Sequence, residues 1–177
     1  GFYVKPRVDY ELLRQYHEGL IALSACLVGE VPQALLRNDY AEAKRVALEM
    51  AEIFGPDHYY LELQDHGLPE QQRVNAGILR LARQTGLPLV VTNDAHYLRK
   101  EDSKMQSILI CIQTGKTVND EDRMRYEGGQ YYIKSEEEMK SLFPYALQAL
   151  ENTQKIADRC LVEIEFGVTK LPKYDVP

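Results

Sequence analysis

Residues 86–97 read Gly86-Leu87-Pro88-Leu89-Val90-Val91-Thr92-Asn93-Asp94-Ala95-His96-Tyr97. A short apolar run that follows Gly and Pro is typical of a strand buried on both faces, so we predict a strand over residues 89–92. Two residues with metal-binding side chains follow it directly. Alternate residues of an extended segment share a face, which places the side chains of Asp94 and His96 on the same side.

The same order of elements occurs twice upstream of this stretch. Apolar runs at residues 20–24 and 58–63 predict two further buried strands. Helical periodicity predicts long helices over residues 39–54 and 69–85, which end at Gly-Pro and Gly signals. Strands that alternate with helices at a spacing of roughly 30 residues indicate α/β architecture with a parallel sheet, either open or part of a barrel. In both cases chemistry is expected at the carboxyl ends of the strands.

After Tyr97 the pattern becomes mainly helical. A helix is predicted over residues 102–114, then a polar loop over 115–130 and a short strand over 131–133. Ser135 and Glu138 form a capping-box pattern that begins a helix ending at residue 142, and another helix is predicted over 145–159. The apolar residues of the 102–114 helix that share one side are Met105, Ile108, Leu109 and Ile112.

Composition restricts the classes of function. The chain has 177 residues, 45% of them hydrophobic, and a formal net charge of −6. No stretch approaches the ~18 apolar residues of a membrane span, and an acidic chain is a poor candidate for tight duplex binding by phosphate neutralisation. The cations Arg123, Arg125, Lys134 and Lys140 are too scattered in sequence to predict a nucleic-acid patch. Three widely spaced cysteines do not suggest a disulfide framework and favour a reducing cytosol.

Three residues are candidate metal ligands because they follow predicted strands. A carboxylate oxygen of Asp94 and an imidazole nitrogen of His96 can reach one metal ion, and the thiolate of Cys26 suits Zn²⁺. Simpler interpretations remain open: Asp94 caps the following helix, His96 makes ordinary hydrogen bonds, and Cys26 is a small buried apolar residue. The shared position at strand ends favours the metal interpretation.

A second polar group follows the 58–63 strand. Glu62, Asp65 and His66 lie there before Gly67, and Asn93 lies beside Asp94. These residues are candidates for supporting the metal ligands or contacting substrate. The alternative for residues 62–66 is a polar loop with local caps.

Several blocks of the chain resemble consecutive blocks of the alpha subunits of bacterial replicative polymerases, the C family of DNA polymerases. They are residues 1–9, 19–27, 60–67, 91–97, 135–139 and 152–157, which include Leu23-Ser24-Ala25-Cys26, Glu62-Leu63-Gln64-Asp65-His66-Gly67 and Thr92-Asn93-Asp94-Ala95-His96. The resemblance covers essentially the whole chain. It implies the C-terminal part of a PHP (polymerase and histidinol phosphatase) domain, with the fold of a distorted (β/α)7 barrel.

The resemblance also implies roles and limits. Asp94 and His96 would be catalytic residues and metal ligands together with Cys26, binding Zn, Mn or Mg. The family's first His-rich motifs would lie upstream of Gly1 and the polymerase aspartates of the palm downstream of Pro177, so the isolated chain is expected to be inactive. We expect residues 1–115 to belong to the PHP domain and residues 116–177 to form its closing segment and a helical connector toward the palm.

The implied activity is metal-assisted phosphoester hydrolysis, as a 3′–5′ exonuclease within a DNA-directed DNA polymerase. The expected partners are the palm, thumb and fingers of the alpha subunit, DNA, and the proofreading exonuclease subunit, in the cytoplasm and without a membrane. One alternative is a catalytically silent scaffold that supports the polymerase and binds the proofreading subunit. A free-standing phosphatase of small substrates is another, which the polymerase-like blocks disfavour.

Overall fold

The computed structural model describes residues 2–3, 5–169 and 171, and its centre is a three-stranded parallel sheet. The strands of the described residues are β1 (Phe2–Tyr3), β2 (Lys5–Pro6), β3 (Ala22–Leu23), β4 (Tyr59–Leu63) and β5 (Leu89–Val91). Their α-helices are α1 (Tyr10–Tyr16), α2 (Glu30–Leu36), α3 (Tyr40–Phe54), α4 (Pro69–Thr85), α5 (Ser103–Thr114), α6 (Glu136–Leu142) and α7 (Leu147–Arg159). The parallel sheet with helices confirms the predicted α/β class. β1 and β2 form a separate antiparallel pair.

Strand β4 occupies the middle of the parallel sheet. All five of its residues are buried, and it pairs with β3 on one side and β5 on the other. The hydrogen bonds extend past the strand ends, because Ser24 N–H donates to Tyr60 O at 3.0 Å and Thr92 N–H donates to Leu63 O at 3.1 Å. The chain segments that follow all three strands therefore emerge at one edge of the sheet.

The long helices begin and end close to their predicted residues. The Asp39 side chain accepts a hydrogen bond from the Glu42 amide and caps α3. Helix α4 begins at Pro69, whose fixed φ and missing N–H suit a first helical position, and ends before Gly86 with φ of +74°. These residues set the lengths of the two crossovers that make the strands parallel.

The hydrophobic core lies between the sheet and helices α2, α3, α4 and α7. Leu61, Leu63, Ile78 and Leu81 are each fully buried, and each such side chain contributes roughly 1.5–3 kcal/mol. Other members of the same core are Val31, Ala34, Val46, Ala47, Val74, Val91, Phe143 and Ala149.

Residues beyond 115 share this core, since Phe143 and Ala149 pack within it. Helix α7 is fixed at its middle and at its C-terminal end: Asn152 donates to the Leu89 carbonyl at 2.8 Å, and Arg159 donates to the Asp57 carbonyl at 2.6 Å. The predicted division after residue 115 stays a prediction. Positions 170 and 172–177 of its second part lie outside the described residues.

Two predicted strands differ from the structure. The 20–24 run forms only the two-residue strand β3, and Leu20 and Leu23 are 49% and 36% exposed, because β3 is an edge strand with β4 as its one described neighbour. The predicted strand over residues 131–133 is a single parallel bridge between Tyr97 and Tyr132.

Helix α5 turns its apolar side to solvent. Met105, Leu109 and Ile112 are 60%, 56% and 73% exposed, whereas Ile110 and Cys111 are buried. Hydrophobic periodicity predicted the helix, but which side packs is set by the neighbours that tertiary structure supplies. None of the described helices combines the length and the apolar character that crossing a bilayer requires.

Gly29 gives a test of the packing after β3. A Cβ at this position would lie 2.5 Å from the Ser24 backbone oxygen, so we expect Gly29→Ala to destabilise the protein by about 1–3 kcal/mol in chemical denaturation. Gly77→Ala is the matched control, because its Cβ would meet only the flexible end of the Leu35 side chain, at 2.8 Å. Equal effects of the two substitutions would contradict this account.

Candidate functional site

The candidate site lies at the edge of the sheet where the parallel strands end. Cys26 follows β3, His66 follows β4, and Asp94 and His96 follow β5. Two of these loops contain a non-glycine residue in the left-handed region, Ala25 with φ of +65° and Asp94 with φ of +46°. Such conformations cost about 1–2 kcal/mol and persist where surrounding contacts impose them.

Asp94 and His96 form a close pair, but the segment is not extended as predicted, because Asp94 has a left-handed φ of +46°. The Asp94 Oδ1 atom lies 3.3 Å from His96 Nε2, and both side chains remain about one third exposed. The His96 backbone N–H donates to the Tyr131 carbonyl at 2.7 Å, and its ring stacks on Tyr126 at a centroid distance of 4.0 Å. The imidazole is therefore oriented by contacts on its backbone and on one ring face.

His66 is buried and bonded at both ring nitrogens. The Gln71 Oε1 atom accepts from the His66 backbone N–H at 2.7 Å, which turns the Gln71 amide nitrogen toward the ring. His66 Nδ1 therefore accepts from Gln71 Nε2 at 2.8 Å, and Nε2–H donates to the Asn93 carbonyl at 2.8 Å. Burial lowers the pKa of His66, which favours this neutral form. A second ring proton would face the Gln71 amide donor.

Asn93 connects the loop after β5 to the segment that crosses over it. Its Nδ2 donates to the Tyr132 carbonyl at 2.8 Å, and its Oδ1 accepts from Lys134 Nζ at 3.2 Å. Burial lowers the pKa of Lys134, whose ammonium also lies 4.5 Å from the Tyr132 ring centroid. Asn93, directly before Asp94, therefore contacts His66 through its backbone carbonyl and residues 132 and 134 through its side chain.

Two tyrosines complete the site and were not found from the sequence. The Tyr131 ring stacks on His66 at 3.9 Å with an interplanar angle of 6°, and Tyr126 lies 5.0 Å from Tyr131. Burial raises the pKa of both hydroxyls, and the nearby Asp94 carboxylate raises them further. The sequence does show aromatic residues in a polar loop near Gly128 and Gly129. No local pattern, however, indicates that this loop contacts residues 66 or 96.

A buried polar layer lies beneath these residues. Glu62 Oε1 accepts from the Thr92 hydroxyl and from Gln64 Nε2, the latter at 3.0 Å, so the ends of β4 and β5 are joined through side chains. The backbone N–H of Glu62 donates to Ser24 Oγ at 2.8 Å. Asp65 accepts from the Gly67 amide at 2.8 Å, which makes it a local turn residue.

Cys26 lies on the β3 side of the edge and is half-buried. It lines a cavity of about 10 Å³ together with Glu62, Gln64 and Asn75. The Gln64 Oε1 atom is buried without a hydrogen-bond partner among the described residues. In the portion of the chain that the structure describes, no three side chains of His, Cys, Asp or Glu are grouped closely enough to hold a metal ion. The structure therefore pairs Asp94 with His96, and among the described residues Cys26 does not complete a three-ligand group with them.

Comparisons with known proteins find one match to the N-terminal part of the chain and several to its full length. A family model of the PHP domain matches residues 1–66. The DNA polymerase III subunit alpha of Treponema pallidum is 46% identical over 177 residues, which cover 100% of this chain and 15% of that protein. The resemblance to bacterial DNA polymerase III alpha subunits is confirmed.

Two further relatives show the same coverage. The DNA polymerase III alpha subunits of Borreliella burgdorferi and Thermus aquaticus are 44% and 43% identical, each match covering 100% of this chain and 15% of the relative. The chain thus spans about 15% of the length of these alpha subunits. Asp94 and His96 lie beyond the 1–66 match, in the part of the chain that aligns with the alpha subunits alone.

The buried His66 predicts a local response to acid. Its pKa is lowered by folding, so the unfolded chain takes up a proton as pH falls below the ordinary value near 6.5, while the folded chain does not. The stabilisation that neutral His66 provides is therefore fully present above about pH 6.5 and is lost as pH falls through the folded pKa. Hydrogen exchange of the His96 and Tyr97 amides, corrected for the intrinsic rate, should show less protection at low pH.

His66→Gln should lower the local stability by about 1–3 kcal/mol, because the buried partners of the ring lose their hydrogen bonds. It should also remove most of the pH dependence of protection at these amides. His17→Gln, which removes a histidine of helix α1's C-terminal end, is the control and should change neither. Unchanged pH dependence in His66→Gln would rule out this histidine as the source.

Proposed function

We propose that this chain is part of a bacterial replicative DNA polymerase, in which it contributes Asp94 and His96 to a metal-dependent site for phosphodiester hydrolysis at DNA 3′ ends. Similarity to alpha subunits over all 177 residues supports the first part. The observation that carries the second is the Asp94–His96 pair, 3.3 Å apart at the carboxyl edge of a parallel sheet. This edge is where α/β folds place their chemistry.

The complete protein would be a DNA-directed DNA polymerase, a nucleotidyltransferase of chromosomal replication. In it, strands β3–β5 would form part of a distorted (β/α)7 barrel of the PHP type. Helices α6 and α7 would close that domain and continue toward the palm. The three unlinked cysteines suit a reducing cytoplasm, where replication takes place.

The donor chemistry at the edge fits a divalent metal. A carboxylate oxygen beside an imidazole nitrogen suits Zn²⁺ or Mn²⁺, and a carboxylate alone suits Mg²⁺. His66 is unavailable as a ligand because both its nitrogens are engaged. Further donors would come from other barrel strands of the complete protein, and Cys26 is our candidate from the β3 side.

The metal, when bound, would supply a water of lowered pKa and charge stabilisation at the phosphate oxygens. The residues of this chain position the donors. Asn93 and the Tyr131 carbonyl fix the backbone on either side of Asp94, while Tyr126 covers one face of the His96 ring. Such fixation reduces the reorganisation required when substrate binds.

A scaffold role is the second candidate, favoured by the exposed apolar side of α5. Met105, Leu109 and Ile112 are spaced as one helix stripe and are more than half exposed. A stripe of this kind is typical of a surface that packs against another protein surface. The palm, thumb and fingers of the alpha subunit, or the proofreading exonuclease subunit, are the partners we propose for it.

Substitution of the pair separates the two candidates. In the full-length protein, Asp94→Asn and His96→Gln should each lower 3′–5′ exonuclease activity by about 100-fold or more. Substitution of residues that only hydrogen-bond to metal ligands already lowers metal affinity or activity by ~10–100-fold. Bound metal, measured by atomic emission, should fall in parallel, and primer extension should be retained.

Asp57→Asn is the matched control, since it makes the same chemical change before β4, at the opposite end of the sheet. Its left-handed φ of +58° is tolerated by asparagine. Exonuclease activity that survives in both site variants would leave only the scaffold role.

A further inference from the structure

A cleft of about 540 Å³ lies beside the candidate site, between α5 and residues 123–128. Its lining residues include three cationic residues, Lys104, Arg123 and Arg125, and the aromatic Tyr126. Glu101 and Glu127 also line it. Among the lining residues three cations thus outnumber two acids, although Asp122 directly precedes Arg123 and the chain as a whole carries a net charge of −6.

The two arginines are held by neutral acceptors. Arg123 donates from Nη1 to Ser107 Oγ at 2.7 Å and from Nε to the Val118 carbonyl at 3.2 Å. Arg125 donates from Nη2 to the carbonyls of Asp120 and Glu121, both at 3.3 Å. Among the described residues, neither guanidinium has a carboxylate within ion-pair distance. Their charges are positioned and remain available to an anion.

Tyr126 connects the cleft to the candidate site. Tyr126 is a lining residue of the cleft, and its ring stacks on His96 at 4.0 Å. Burial raises the pKa of the Tyr126 hydroxyl most, and the nearby Asp94 carboxylate raises it further. A ligand in the cleft that reaches past this ring therefore meets the Asp94–His96 pair.

We propose that this basic cleft, defined by Lys104, Arg123, Arg125 and Tyr126, binds the 3′-terminal nucleotides of a single DNA strand and directs the end to Asp94 and His96. The proposal rests on the proposed hydrolytic function of that pair. The four cleft residues would bind the substrate without being ligands of the metal.

Single-stranded DNA is the ligand whose chemistry this arrangement matches. Arginine forks bind phosphate oxygens, and an aromatic ring at the end of a cationic groove provides a stacking surface for a base. The volume falls within the range of ligand sites, whereas a duplex would require a wider basic surface than three cations provide.

Photo-crosslinking tests the path without depending on hydrolysis. An oligothymidylate of about 12 nucleotides with 5-iododeoxyuridine at its 3′ end is bound to the full-length protein in EDTA and irradiated. Peptide mass spectrometry should locate a crosslink at Tyr126. Arg123→Gln/Arg125→Gln should reduce the yield of this crosslink at least about fivefold. The decrease of log yield with log salt should become shallower by about 1.4, since each phosphate contact contributes ~0.7 to the slope.

One control and one further cleft variant complete the test. Arg37→Gln/Arg83→Gln removes the same charge from exposed positions outside the cleft and should leave the yield unchanged. Lys104→Gln, whose exposed ammonium forms no hydrogen bond among the described residues, should lower the slope by about 0.7 without disturbing the fold.

The outcomes separate the two proposals. A Tyr126 crosslink in a protein whose exonuclease activity is unaffected by Asp94→Asn would leave the cleft proposal standing and remove the hydrolytic one. Exonuclease activity that depends on Asp94 while crosslinks form only outside residues 101–128 would overturn the cleft proposal.

Discussion

The hydrogen bond from His66 Nε2 to the Asn93 carbonyl is the constraint on which the geometry of the site depends. It joins the loop after β4 to the loop after β5, 27 residues apart in sequence, in a partly buried environment. A neutral imidazole with one donor and one acceptor satisfies both Asn93 and Gln71 without placing a charge there. A buried charge without a partner would cost far more than the hydrogen bonds return.

Two further layers make this junction rigid. Below it, Glu62 and Thr92 join the strand ends through side chains. Above it, Tyr131 stacks on His66 and accepts the His96 amide at its carbonyl. Because the left-handed Asp94 lies between these contacts, its strained backbone is imposed by neighbours on both sides. The exposed pair is thereby held by a buried frame, a common arrangement for sites that must bind ligands without rearranging.

How much the sequence predicts depends on the range of the interaction. Helix α4 was predicted over its observed residues, because Pro69 and Gly86 act through their own backbone preferences. The Asp94–His96 pair was expected from alternation along an extended segment, but the structure forms it with Asp94 in the left-handed region, which its spacing does not predict. By contrast, the contacts of Tyr131 with His66 and His96 join segments 65 and 35 residues apart, and no local period encodes them. The exposure of Leu23 and of the α5 stripe also depends on neighbours in space, so apolar runs alone overestimated burial there.

The distribution of charge explains why an acidic chain can still carry an anion site. Potential at a cleft is set by the charges within about a Debye length, roughly 10 Å at moderate salt, and here these are the three cations together with nearby acids such as Glu101 and Glu127. Some acids of the described residues are paired with cations, as Glu49 is with Arg14 and Arg45. Arg123 and Arg125 instead bond to neutral oxygens. Net charge therefore argues against general duplex affinity, while the local arrangement favours a confined contact with a few phosphates.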